Sequence, residues 1–374
     1  MLQATDSMKD PVVIQDAAMK RERLREWMDR HGLDGVILSR ADNFAWITSG
    51  GNSRVIEDAD GGVGTIVITR DKHYLVSLYM DAERLLEEQN PGQGYELVPL
   101  FWYQGSEGQK ALSLAGKKVG ADTAIPGSEL VNQEIIELQW PLTDLELHRM
   151  RWLGKQQSDV LENLLHSVEP GTNEKEVEKQ MLIDFINKSI KVNVAIVGSD
   201  ERITKYRHVL ATDKKIDRYL LLGPVISRWG LHSLCSRSVY FGEPPLEIKK
   251  AFLSAATIEG RIFSELREGL RFSTILAKQK AWYDELGYKD GWIYHFQGGP
   301  TGYAIVDAGQ CLTENVIKAP QPYSWFTTVR GAKVEELSIL TKEGVEIASL
   351  GDHWPTIQVE TDSGPYQVPG MLIR

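Results

Sequence analysis

Two imidazoles stand where chemistry on a small molecule could be done. His208 lies in Tyr206-Arg207-His208, ahead of Thr212-Asp213. An imidazole with a pKa near neutrality can take up a proton and give it back, the work of a general acid and base. The other reading makes His208 purely structural. His295 precedes the run Gly298-Gly299-Pro300-Thr301-Gly302 with two residues between, and glycines there let the backbone approach a ligand closely. The run is not a dinucleotide fingerprint, because no strand and ribose-binding acid flank it correctly. His295 reads equally as a second imidazole that polarises or orients a substrate and as a buried histidine with satisfied hydrogen bonds. Cys235 and Cys311 have neither metal-ligand spacing nor a base placed to activate a thiol, and read as small buried side chains.

Composition narrows the classes. With 374 residues, 42% hydrophobic and 25% charged, the chain reads as a soluble globular protein of two domains. A formal net charge of -10 and the lack of any dense basic cluster argue against nucleic acid as a partner. No apolar run reaches the ~18 residues of a membrane span, and the N-terminus has no apolar signal core, so a cytoplasmic protein without membrane contact is expected.

The elements that must position these residues divide near residue 145. Before it, helices and strands alternate: a helix at Ala18 to His31, a strand at Gly35 to Leu38, paired strands at Gly64 to Ile68 and His73 to Ser77 with a turn at Arg70 to Lys72, a helix near Asp81 to Glu88 and a strand at Lys118 to Gly120. This is an α/β domain, residues 1–145. The second domain, 146–374, is α+β. Helical periodicity runs over Asp144 to Val168, and a second helix follows Pro170-Gly171 with Thr172 as its cap. Strands are expected around Asn193 to Val197, Tyr219 to Ile226 and Ser238 to Phe241, and helices at Pro245 to Glu268 and Phe272 to Leu286.

Five motifs in order carry a resemblance: Gly32 to Val36, Asp144 to Arg151, Pro170 to Val177, Arg207 to Ile216 and Ser236 to Pro244. The chain resembles the creatinase, prolidase and aminopeptidase P family over nearly its whole length. The resemblance implies a creatinase-like N-terminal domain followed by a pita-bread C-terminal domain with a curved antiparallel sheet. It also implies a two-fold homodimer with a shared active site. Metal-dependent members hold two divalent ions with two Asp, one His and two Glu. Laid on this chain, those positions fall on Gly223, Leu234, Gly299, Phe326 and Glu335, so only the last keeps its ligand. Glycine and leucine side chains offer no lone pair, so no metal cofactor of the family type is expected. A rearranged mononuclear site from His208, His232, His295 and Glu335 stays open as an alternative. Val306 and Asp307 replace the His and Glu of the next family motif.

Creatinase, which resembles this fold yet cleaves a C–N bond without metal, implies the remaining roles. His208 matches its proton-transfer histidine. Glu335, deprived of cations, takes either a substrate ammonium or guanidinium or an arginine such as Arg330 or Arg237. His232, two residues before Leu234, and Ser236, two after it, share the strand face toward the old metal pocket. Trp325, Phe326 and Leu234 make that pocket greasier, and Phe326 and Tyr303 are candidate substrate contacts alongside His295 and Ser236. Arg54, after Ser49 to Asn52, lies where such proteins present an arginine to the partner subunit's pocket, suited to clamp a carboxylate. The expectation is a metal-independent hydrolase or lyase acting on a small carboxylated substrate, with a non-catalytic ligand- or partner-binding member as the alternative and a metallo-aminopeptidase less favoured.

Overall fold

The computed structural model describes residues 7–374. Contacts divide it within one long helix: one compact unit holds the chain up to His148 together with Trp229–Leu231, and the other holds Arg149–Arg228 and His232–Arg374.

The first unit is α/β. Its elements are α1 (Pro11–His31), β1 (Gly35–Arg40), α2 (Ala41–Ile47), β2 (Gly61–Thr69), β3 (His73–Leu78), α3 (Tyr79–Arg84), β4 (Glu96–Leu100), α4 (Glu107–Ala115), β5 (Val119–Ala121), β6 (Glu129–Leu130) and α5 (Asn132–Gln139). α1 begins seven residues before the periodicity suggests, because Asp10 accepts a hydrogen bond from the Val12 N–H and Pro11 occupies the first turn. It ends at Gly32, whose left-handed backbone returns its N–H to Asp29 and Met28. The strands form a mixed six-stranded sheet in the order β4-β3-β2-β1-β5-β6. β1 lies inside it, antiparallel to β2 and parallel to β5, and its first four residues are all buried. Its run Gly35-Val36-Ile37-Leu38 is apolar without alternation, as a strand covered on both faces requires.

One buried polar knot sits in this unit. The ammonium of Lys20 lies 2.7 Å from Asp16 and 2.7 Å from Glu146 and is fully buried. Ser49, at positive φ in the loop after α2, donates to Asp16 at 2.5 Å. The Asp16 carboxyl, which burial alone would raise, is held below its usual range by the charge and hydrogen bond of Lys20.

The long helix α6 (Asp144–Ser167) leads into the second unit, followed by α7 (Glu174–Ile186), β7 (Lys191–Val194), β8 (Val197–Ser199), α8 (Glu201–Lys205), β9 (Tyr219–Leu222), β10 (Val225–Arg228), β11 (Leu231–Leu234), β12 (Arg237–Tyr240), α9 (Leu246–Glu265), α10 (Phe272–Glu285) and β13 (Gly298–Pro300). The rest is β14 (Gln321–Trp325), β15 (Thr327–Val329), β16 (Ala332–Val334), β17 (Leu337–Thr341), β18 (Gly344–Ile347), β19 (Thr356–Thr361), β20 (Gly364–Pro369) and β21 (Leu372–Ile373). Asn173, not Thr172, caps α7: it completes a capping box with Glu176, whose carboxylate returns to the Asn173 N–H. The strands form separate ladders, chiefly β21-β12-β9-β8 and β13-β14-β17-β18, antiparallel except where β21 joins β12. Apolar faces of α6 and α7 pack on β8, β9 and β12 through Leu161, Leu165, Met181, Phe185, Leu220 and Val239.

Candidate active site

Strands place the expected ligand positions around one point, and the point holds a cation of the chain's own. Lys333 and Glu335 stand two residues apart on extended chain, which turns both side chains to one face. Lys333 Nζ lies 2.6 Å from Glu335 Oε2, and the two side chains are 5% and 2% exposed. Ser324 Oγ, on β14, donates to the other Glu335 oxygen at 3.2 Å. A Cβ added to Gly223, which follows β9, would come 3.7 Å from Lys333 Nζ. The position assigned to the first lost aspartate therefore faces the lysine. This corrects the expected partner of Glu335: it is neither Arg330, exposed on a turn, nor Arg237, whose guanidinium is buried and bonded to Glu336.

The other lost ligand positions have closed on themselves. Leu234, Val225 and Phe326 form a buried apolar cluster, with Val194 and Val306 packed against it. At Gly299 a Cβ would lie 2.4 Å from the Asp307 carbonyl oxygen, so no side chain fits there as the loop stands. The donor set needed for two divalent ions does not fit: the surviving carboxylate is neutralised by an ammonium, and the remaining positions carry hydrogen or hydrocarbon. Among the described residues no group of three or more His, Cys, Asp or Glu is placed to hold a metal ion.

Beside this pair stand two imidazoles in contact. His208 Nε2 and His295 Nε2 are 3.3 Å apart, with the rings edge to face at 5.3 Å. His295 Nδ1 lies 2.7 Å from the Phe296 carbonyl, which can only accept, so Nδ1 carries the His295 proton. The Nε2 of neutral His295 is then an acceptor, and the proton between the rings belongs to His208. His208 Nδ1 is left with its lone pair. Burial pushes His295 down to about 4, against its bond to Phe296 and with help from the charges of Lys333, His208 and Arg207. Burial and the charge of Lys333 lower His208 too, against the pull of Glu335. Both rings are neutral at pH 7. Phe326 joins the two halves: its ring lies 5.4 Å from that of His295 and 5.5 Å from Lys333 Nζ, and Phe296 meets it edge-on at 5.0 Å.

His208, His295, Phe326 and Glu335 are thus brought together. His232 is turned to another task, since both its backbone N–H and its ring Nδ1 lie within 2.9 Å of the Gly302 carbonyl, pinning the loop in which Tyr303 is buried. Ser236 donates its backbone N–H to the Glu335 carbonyl at 2.8 Å and supports the pair from behind. Arg54 belongs to the first compact unit, where its N–H meets Asn52 Oδ1 at 2.9 Å. Lys333 was missed. Its signal was a lysine two residues before the one surviving acid on an extended segment. Both cysteines are free and buried.

Behind the pair, Glu336 faces the opposite way, bonded to Arg237 and to Ser349 Oγ at 2.5 Å. Glu259, on α9, is fully buried next to it, and neither of its oxygens has a hydrogen bond of ordinary geometry. Burial, then the charges of Glu336 and Glu335, push the Glu259 carboxyl well above its usual range.

Residues 20–130 match the model of the creatinase/prolidase N-terminal domain. The chain carries that domain and the pita-bread fold of the prolidases. Among solved structures it is similar to the Xaa-Pro dipeptidase from Bacillus anthracis, with 19% identity and a TM-score of 0.72 over 96% of this chain and 100% of the other. The dipeptidase PepE from Mycobacterium ulcerans gives 14% identity and a TM-score of 0.77 over 96% and 98%. The prolidase from Pyrococcus horikoshii OT3 gives 16% and 0.75 over 89% and 99%. No curated protein matches the sequence. None of its described helices is long and apolar enough to cross a membrane.

Proposed function

We propose that the protein is a metal-independent hydrolase or lyase of the creatinase kind, acting on a C–N or related bond of a small carboxylated substrate with His208 as acid and base. The observation that carries the reading is the fixed tautomer of the histidine pair: His295, tied to the Phe296 carbonyl, leaves His208 Nδ1 as the proton acceptor. In hydrolysis, a water proton passes to Nδ1 as its oxygen attacks the carbon, and Nδ1 returns a proton to the departing nitrogen. His295 is a positioning residue that accepts from His208 in both charge states. Lys333 supplies fixed positive charge at the place assigned to metal in relatives, and Phe326 with Phe296 offers an apolar wall.

A second reading has its own observation. Lys333 and Glu335 satisfy each other, and Leu234, Val225 and Phe326 fill the adjoining space, which suits a pocket that binds without reacting. One experiment separates the two. Protein treated with chelator is incubated with N-acyl, N-carbamoyl and amidino amino acids, and amine release is measured for wild type and His208→Ala. Turnover that survives chelation and disappears in the variant supports catalysis. Turnover that needs added divalent ions, or that persists without His208, sinks the proposal. Thermal stabilisation by one of these compounds with no turnover favours the binding module.

A further inference from the structure

The residue beside the proposed base is a cation without an ion pair among the described residues. Arg207 is half-buried, and its guanidinium lies 5.9 Å from the centre of the Tyr294 ring. Among the described residues it makes no hydrogen bond and no ion pair. The acids of its own segment are engaged elsewhere. Asp200 accepts from the backbone N–H groups of Asp217, Arg218 and Tyr219 and pairs with Lys214 at 3.3 Å. Glu201 also meets Lys214, at 3.4 Å, and Asp213 pairs with Lys175 at 3.0 Å. Arg202, five residues earlier, is bonded to Glu174. Desolvation depresses the Arg207 guanidinium below its usual value, against a smaller opposing pull from Tyr283 and Tyr294. Leaving a partly desolvated guanidinium unpaired is unfavourable, and the folded chain does so beside the histidine pair.

We infer that Arg207 binds the carboxylate of the substrate, on this subunit, next to His208. The inference rests on reading His208 as the reacting base. A guanidinium offers two parallel N–H donors that match the two oxygens of a carboxylate, while a phosphate dianion ordinarily calls for more than one cation. The surroundings fit a carboxylate attached to an apolar or planar body. Tyr294, Phe296 and Tyr206 are 63%, 50% and 46% exposed, and Tyr294 lies under the guanidinium itself. Arg207 also acts electrostatically on His295, so an anion seated there is felt by the pair. Lys333 cannot take this role while Glu335 holds it at 2.6 Å.

The test uses benzoate as probe and its neutral analogue benzamide as control, followed by the imidazole NMR signals of His208 and His295 in the full-length protein. Benzoate is expected to bind saturably and shift both signals, and benzamide to do neither. Arg207→Gln is expected to weaken benzoate roughly 10- to 100-fold, the range for a lost charged hydrogen bond, with Arg207→Lys between. Unchanged benzoate affinity in Arg207→Gln, or no saturable binding to the wild type, overturns the inference. Inorganic phosphate displacing benzoate at lower concentration overturns the choice of a carboxylate. Failures remain distinguishable. If turnover requires His208 but benzoate ignores Arg207, the anion site is wrong and the base stands. If benzoate needs Arg207 while no carboxylated compound is turned over, the base is wrong and the anion site stands.

Discussion

Lys333 Nζ lies 2.6 Å from Glu335 Oε2 in a setting where both side chains are almost wholly buried. Removing one member of such a pair strands the other charge out of water, whereas replacing both with apolar groups of similar volume is often near neutral. Lys333→Met should therefore destabilise the protein by about 3–5 kcal/mol, and Lys333→Met with Glu335→Leu should recover most of that loss. Denaturant unfolding of the three proteins checks it. Equal losses in single and double variants would mean that the pair contributes no coupling.

The histidine pair predicts the acid side of any activity. A base that must be unprotonated fails as pH falls through its pKa, and both rings lie below the ordinary histidine value, His295 at about 4. The rate should hold at pH values where an unperturbed histidine, with pKa about 6.5, is already half protonated. NMR titration gives the same answer without substrate. A midpoint above the ordinary value for His208 would contradict the geometry.

Glu259 makes stability depend on pH in the opposite sense from most carboxylates. Its pKa is raised on folding, so the native state binds a proton that the unfolded chain has released, and stability falls as pH rises. The contribution is fully present below the unfolded pKa, about 4.3, and is lost as pH climbs through the folded value. Glu259→Gln keeps the neutral form and should flatten this slope, giving a protein more stable than wild type at alkaline pH. Melting temperatures across the pH range would show it, and parallel curves would refute it.

Lys20 is the corresponding test in the first unit. With Asp16 and Glu146 both at 2.7 Å, Lys20→Met leaves two buried carboxylates facing each other. A loss of at least about 3 kcal/mol is expected, partly relieved at low pH as those carboxylates protonate. Urea midpoints at neutral and acidic pH measure both effects. A variant as stable as wild type would show that the knot is replaceable.

Local pattern made much of the fold readable before any coordinates. The strands around Gly64 to Ile68 and His73 to Ser77 and the helices α6, α9 and α10 fall within a few residues of their expected limits, because hydrophobic period and Pro-Gly punctuation act locally. α1 starts before its periodicity does, since its first turn, Pro11 to Ile14, is uniformly apolar and only the Asp10 cap and Pro11 mark the start. The site was legible in its losses more than in its gains. The family order pointed to Gly223, Leu234, Phe326 and Glu335, yet the partner of Glu335 depended on which cation reaches it in space. The tautomer of His295 hangs on a carbonyl one residue away, and the unpaired state of Arg207 on ion pairs made by Asp200, Glu201 and Asp213. These are bookings of partners across the whole fold, invisible to any window of sequence.

The cluster of Leu234, Val225 and Phe326 has a consequence for engineering. A metal site at these positions could not be built by single steps. Aspartate at 234 would place a charge among hydrocarbon. Histidine at 299 would strike the Asp307 carbonyl, which a Cβ there would approach to 2.4 Å. Aspartate at 223 would find Lys333 before it found an ion, and removing Lys333 first would strand Glu335. Each single change is unfavourable by itself, so a metal centre could be built here only by several coordinated substitutions, while what now occupies the space can be refined one residue at a time.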